Sequence, residues 1–404
     1  MRNVIFIAPF PLETTMRFAR VLASLGNVRL LGIWQEAPKG QDSHLFHDIV
    51  RVDDALDSQK LIQACELLIR RHGRPHRILG IVEALQVQLA EVRAHFGITG
   101  PSVQTAERFR EKALMKDVLR AAGIPCARHR LIHHASDAEN FVREVGFPIV
   151  LKPPAGMGCK ATWRIENTEQ LVQALQSVRP SPQNPTLAEE FLRGREYSFE
   201  TITIGGEPCF HSISQYLPTP LEVMETPWIQ WCVVLPRDIY GSEFDDIRKV
   251  GVNVIKTLGL DDGMTHMEWF RRQDGSLAVG EIAARPPGAN IVRMTGLAYD
   301  VDMYRAWGQA VVDSHWSGPW ERKYAVGCAF LRGAGRGRVV RVEGVEQAQA
   351  KVGGVVVEAH LPTIGAPKSD SYEGDGYAIV RHPDTEIVKK ALQIIIETIQ
   401  VRYA

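Results

Sequence analysis

The chain has 404 residues, a length that suits two to three domains. Its 45% hydrophobic and 23% charged content is that of a soluble globular protein with sizeable cores. Lys plus Arg and Asp plus Glu each number 47, so the formal net charge is zero, which argues against nucleic acid or an anionic membrane as the main partner. Six scattered cysteines without a CxxC pair fit reduced thiols in a cytoplasmic protein better than a disulfide frame or a zinc site.

The N-terminal run RNVIFIAPF is too short to span a membrane and has no cleavage region, so it reads as a first core strand over 4–8. A helix from Thr14 or Thr15 to about 25, a strand over 28–34, a short strand near 49–52, a helix over 58–71, a strand over 78–82 and a helix to 95 follow. Such alternation predicts a parallel sheet with helices on its faces. No GxGxxG follows the first strand, so a dinucleotide site is not supported. His44 and His47 lie three apart without a third ligand nearby and read as surface loop residues.

The Gly- and Pro-rich 97–101 stretch marks a first boundary. A single helix over 105–122 carries Lys112 and Lys116 one turn apart, and Lys116 reads as part of a solvated face. A strand over 128–132, a helix capped by Ser136 and a strand over 148–151 ending in Lys152 follow. The loop PPAGMGCKAT over 153–162 has Gly156 and Gly158, which let backbone N–H groups converge on an anion; an ordinary Gly-rich hairpin is the other reading. A helix from Thr168, a linker over 179–185 and a strand over 186–192 with acidic residues near its end come next. Strands over 197–204 and 208–214 form a hairpin across Gly205-Gly206. The proline-broken 217–227 stretch is either a substrate loop or a surface excursion.

After a helix over 241–258 comes the segment that organises the reading, MTHMEWFRRQDGSLAVGEIAARPPGAN over 264–290. Asp274-Gly275 as a two-residue turn pairs Gln273 with Ser276, Phe270 with Val279, Glu268 with Glu281, His266 with Ala283 and Met264 with Arg285. Side chains alternate along a strand, so His266, Glu268, Glu281 and Arg285 share a face. Two carboxylates opposite each other repel. A Mg²⁺ ion between them relieves this; an accidental clash on a solvent-facing pair is the bland alternative. A helix over 301–312 precedes a boundary at 314–320. Strands near 326–331, 337–342, 355–360 and 377–382 and a helix over 385–399 complete the chain. Arg332, Arg336, Arg338 and Arg341 read as solvated hairpin charges.

A helix Lys, a strand-end Lys, a Gly loop, Glu189 with Glu196 seven residues later, and paired Glu with Arg together resemble the ATP-grasp superfamily over about 105–312. Within it the chain looks most like the carboxylate–amine ligases, such as L-amino-acid ligases that make dipeptides. The resemblance implies an α/β protein, α+β in its central part. A parallel α/β domain over 1–100 would precede an ATP-grasp domain over 101–317, with a lid over about 124–188. A small β-rich domain over 318–404 would follow. It implies ATP and one or two Mg²⁺ ions, which Mn²⁺ replaces, with small-molecule carboxylate and amine substrates; it leaves a homodimer open. Lys112 and Lys152 would bind phosphates, and Gly156, Met157 and Gly158 would close over them. Glu189 and the backbone of Glu190, Phe191 and Leu192 would hold adenine, and Glu196 the ribose. Glu268 and Glu281 would hold the metal, Arg285 would meet the γ-phosphate and the activated carboxyl, and His266 would contact a water, phosphate or substrate unless it merely fills the core. The family usually has Asn two residues after the second Glu; here that residue is Ala283. A biotin-carboxylase-like or formate-using purine-type ligase, and an ATP-binding module without catalysis, are the competing readings.

Overall fold

The computed structural model of the chain describes residues 1–156, 158 and 161–404. The first hundred residues form β1 (Arg2–Ala8), α1 (Glu13–Ser24), β2 (Val28–Trp34), β3 (Asp48–Arg51), α2 (Ser58–His72), β4 (Arg77–Leu79) and α3 (Gln86–Phe96). The strands lie in the order β3-β2-β1-β4, all parallel, as the alternation predicts. Ile5, Ile7, Leu31 and Ile33 pack on α2 and α3, while Val4, Phe6, Leu30 and Trp34 face α1. β4 stops earlier than expected. A 3-10 turn, Glu83–Leu85, then sets Glu83 beyond the carboxyl end of the sheet, where open α/β sheets place their ligands.

The expected single helix over 105–122 is two, α4 (Val103–Arg110) and α5 (Lys112–Ala121), because Glu111 adopts extended backbone (φ −90°, ψ 105°). The break puts Lys112 at a helix start, where its N–H donates to Pro154 O (3.1 Å). Next come β5 (His129–Ile132), α6 (Ala135–Val145), β6 (Ile149–Lys152), β7 (Trp163–Ile165), α7 (Thr168–Val178) and β8 (Thr186–Glu190). They make a four-stranded sheet in the order β5-β8-β6-β7 with its own core of Phe141, Ile149, Leu151 and Leu171. His134, not Ser136, caps α6, in a capping box with Asp137.

The remainder comprises β9 (Gly194–Ile204), β10 (Glu207–Leu217), α8 (Pro220–Glu225), β11 (Trp231–Leu235), α9 (Asp245–Leu258), β12 (Gly263–Arg272), β13 (Leu277–Ala283), α10 (Ile291–Tyr299), α11 (Met303–Asp313), β14 (Ala325–Leu331), β15 (Val339–Glu343), α12 (Val345–Val352), β16 (Val356–His360), β17 (Gly376–His382), α13 (Thr385–Thr398) and β18 (Gln400–Tyr403). Eight strands form one sheet, β13-β12-β9-β10-β11-β14-β17-β16, so strands from beyond residue 318 continue the central sheet. One face of β9 carries Tyr197 and Phe199 into the core under α9; the other carries Glu196, Ser198 and Glu200. The 217–227 stretch is no loose excursion. α8 has a Thr219–Glu222 capping box, and the buried Arg332 donates to Val223 O at 2.8 Å. That contact corrects the reading of Arg332 as a solvated charge, whereas Arg336, Arg338 and Arg341 are exposed. Among the described residues, no helix is long and apolar enough to cross a membrane.

Candidate active site

The β12–β13 hairpin pairs Glu268 with Glu281 and His266 with Ala283, as the sequence predicts, but by a different route. The turn is one residue longer, with Arg272 opposite Ser276, and Phe270 faces Ala278 instead of Val279. A bulge at Gly280 then restores the register, because Trp269 faces Val279 while Glu268 faces Glu281. β13 ends at Ala283, so Arg285 leaves the ladder and does not pair with Met264.

Three lysines converge on two carboxylates beside this pair. Lys112 Nζ lies 3.2 Å from Glu281 and donates to Gly156 O at 2.9 Å. Lys152 Nζ lies 2.9 Å from Glu189 and 3.6 Å from Glu281. Lys116 lies 2.8 Å from the other Glu189 oxygen and is fully buried, the opposite of the solvated face read from the sequence. Its helix face is covered by β13 and β8, which sequence periodicity alone does not reveal. Burial opposes ionisation of Glu189 and Glu281, yet the lysines outweigh it and hold both carboxyls below their ordinary range. Burial pushes the Lys116 ammonium down against the pull of Glu189. Lys152 is also penalised by burial, but Glu189 and Glu281 raise it.

His266 lies in a polar network. Its Nδ1 is 2.9 Å from Glu200 Oε1, its Nε2 is 3.2 Å from Tyr216 OH, and Glu268 stands 3.8 Å away. Burial works against its charged form, but Glu200 and Glu268 raise its pKa to about 9, which favours the imidazolium at neutral pH. It is buried among polar partners, while Trp269, on the opposite face, stacks in the core against Tyr197. Glu196 is buried near Glu268 and Glu281; burial, then these two charges, lift its carboxyl well above the ordinary range.

Arg285 is held by Glu83 from the N-terminal sheet through bonds of 3.0 and 2.9 Å, and Arg110 reaches the same carboxylate at 3.4 Å. Arg110 also donates to Ala155 O. The carbonyls of Pro154, Ala155 and Gly156 thus all turn toward Arg110 and Lys112. Gly158 has φ +63°, a left-handed conformation that favours glycine. Met157 lies outside the described residues. Glu190 and Phe191 spend their N–H groups on Arg128 O and Pro148 O, and the Glu190 carboxylate pairs with Arg128 and Arg272. Leu192 follows where the strand ends.

The carboxylates suit an oxygen-seeking divalent cation. Glu268 and Glu281 face each other, and the lifted Glu196 beside them marks an excess of negative charge at that spot. Among the described residues no group of three or more His, Cys, Asp and Glu forms a ready metal cage. Two carboxylates would hold the ion, with remaining positions left to nucleotide oxygens and water.

Sequence reasoning missed Glu83, Arg110, Lys116, Glu200 and Tyr216. Glu196, Ser198 and Glu200 recur at every second position of a strand, and that signal was readable; Glu83 and Arg110 need the tertiary fold.

Residues 117–296 match the family model described as the ATP-grasp domain. An L-arginine-specific L-amino acid ligase from Bacillus subtilis is 28% identical over 65% of this chain and 64% of its own length, so the match spans a little under two thirds of that protein. An L-amino acid ligase from Bacillus licheniformis superposes over 100% of this chain and 99% of its own, with a TM-score of 0.82 and 16% identity. A carboxyaminoimidazole ribonucleotide synthase from Aspergillus clavatus, complexed with ATP, covers 98% of each chain with a TM-score of 0.73 and 16% identity. At such identities the two structures show the fold alone. The family model thus covers a little under half of the chain, residues 117–296, and over its whole length the chain shares the fold of these solved structures.

Proposed function

We propose that the protein is an ATP-dependent carboxylate–amine ligase that forms an amide or peptide bond through an acyl phosphate, with amino acids as substrates. The observation that carries this is the convergence of Lys112 and Lys152 on the Glu281 side of the Glu268–Glu281 pair, with Arg285 nearby. Lys112 and Lys152 bind the phosphates, Gly156 and Gly158 close over them, the strand end at Glu190–Leu192 meets adenine, and Glu196 meets the ribose. Glu268 and Glu281 would hold Mg²⁺, which would supply neutralisation of phosphate charge. A substrate carboxylate oxygen attacks the γ-phosphorus as the bond to ADP breaks. Arg285 stabilises the charge that develops on the phosphoryl and carboxyl oxygens. The amine nitrogen then attacks the acyl carbon, phosphate leaves, and the amine loses a proton. The resemblance to the L-arginine-specific ligase supports amino acids in both roles.

A matrix of amino acids and amines, assayed for ADP formation that needs both partners and for the condensed product by mass spectrometry, tests this reading. ADP release without a product, or with bicarbonate as the acid, would replace it with another ligase of the family. Ala283 favours one further reading, nucleotide binding without turnover; in that case ATP binds in calorimetry and no acid–amine pair releases ADP.

A further inference from the structure

We propose that Lys116 is a positioning residue that fixes the Gly280 bulge and thereby puts Glu281 on the site face of the sheet. Its Nζ donates to Gly280 O at 2.6 Å and is anchored 2.8 Å from Glu189. Gly280 is the extra residue of the hairpin: Glu268 pairs with Glu281, but the next residue, Trp269, pairs with Val279. Its neighbour Val279 is fastened on both sides, accepting from Ala127 N and donating to Pro125 O.

The consequence follows from the two-residue period of a strand. Without the bulge, the pairing of Trp269 with Val279 would continue as Glu268 with Gly280 and Met267 with Glu281. Met267 is fully buried in the core under α9. Glu281 would then point into that core, and the carboxylate pair would not exist. A bulge leaves a backbone group outside the ladder, and a buried group of that kind needs a partner. Lys116 supplies it, from the α5 helix whose first residue, Lys112, contacts Glu281 itself. Met115 Sδ, also on α5, lies 3.4 Å from Ile282 N, so the helix grips β13 on both sides of Glu281.

A fully buried ammonium is a costly way to fill space, and a methionine of similar length would pack as well. What methionine lacks is the donor to Gly280 O. Lys116 therefore acts through the backbone on the metal pair. The inference rests on the ligase reading only for the identity of the ion.

The test compares Lys116→Met with Lys116→Gln, which keeps an N–H donor without the charge. Dissociation constants for Mn²⁺ are measured by electron paramagnetic resonance with a saturating non-hydrolysable ATP analogue, beside urea unfolding of each variant. K116M should weaken Mn²⁺ binding by about tenfold or more, and K116Q should recover to within about threefold of the unmodified chain. K116M with unchanged Mn²⁺ affinity but a lower unfolding midpoint would show a purely structural lysine and overturn the proposal. So would a folded K116Q as weak as K116M; if K116M does not fold, a tenfold loss in K116Q decides against it. A crystal structure of either variant is informative even if the unmodified chain binds neither metal nor nucleotide. That double negative would count against the ligase reading, whereas an undisturbed Gly280 bulge and Glu281 side chain in the variant would count against this one.

Discussion

Glu83 and Arg285, 202 residues apart, are joined by two charge-assisted hydrogen bonds of 2.9 and 3.0 Å. Glu83 is 7% and Arg285 22% exposed at the side chain, so the pair is mostly withdrawn from water. It ties the parallel sheet of the first hundred residues to the loop that follows β13. Removing one partner of such a pair strands the other, at a cost of about 3 kcal/mol when burial is deep and less here. Glu83→Ala should lower unfolding free energy by about 1–3 kcal/mol and cut turnover, since Arg285 loses its orientation. A double-mutant cycle with Arg285→Ala in urea checks this: stability losses that simply add would exclude the coupling.

Much of the site was readable because strand periodicity is strict. A two-residue turn pairs Glu268 with Glu281, as the structure does, although the turn itself is one residue longer. The longer turn and the Gly280 bulge shift the register in opposite senses and cancel at the glutamates, while Phe270 shows the difference. Helical periodicity says which residues share a face and not what covers it, so Lys116 looked solvated while lying under β13. The turn of chain at Glu111, the α10 and α12 helices, and the β11 and β18 strands have weak local signals and are set by tertiary packing. Glu83 was out of reach for a different reason: its partner lies in another layer of the fold.

Lys152 should separate binding from stability. Its loss leaves Glu189 with Lys116 and Glu281 with Lys112, so neither carboxylate is stranded. Lys152→Met is expected to weaken ATP binding by about tenfold or more with little change in thermal unfolding. Titration calorimetry returning wild-type affinity for ATP would remove Lys152 from the phosphate site.

The two facing glutamates should behave differently in the absence of ligands. Glu281 is surrounded by Lys112 and Lys152, whereas Glu268 adds to the repulsion that lifts Glu196. Glu281→Gln should therefore destabilise the ligand-free chain, and Glu268→Gln should leave it unchanged or raise its unfolding midpoint. Both substitutions should abolish metal-dependent ATP turnover, as should chelation. Equal and opposite behaviour in the melts, with Glu268→Gln the weaker protein, would mean that the charge balance around the pair has been misassigned.

His266 offers the sharpest distinction between a metal ligand and a neighbour of the metal. Ala283 places a methyl group where relatives usually carry an Asn oxygen, and His266 stands directly across from it. With Nδ1 on Glu200 and Nε2 on Tyr216, both ring nitrogens are already engaged within the protein. Mg²⁺ prefers oxygen and keeps waters readily, so a water should fill the missing position. His266→Ala should slow turnover by about 10- to 100-fold through loss of a donor near the phosphates or substrate. Mn²⁺ affinity with bound nucleotide should stay within about threefold, since Mn²⁺ and Mg²⁺ are suited by carboxylate and water oxygens and His266 is not a ligand in this arrangement. A crystal structure with Mg²⁺ and nucleotide in which a His266 nitrogen bonds the ion, or in which no ion lies between Glu268 and Glu281, would rule this arrangement out.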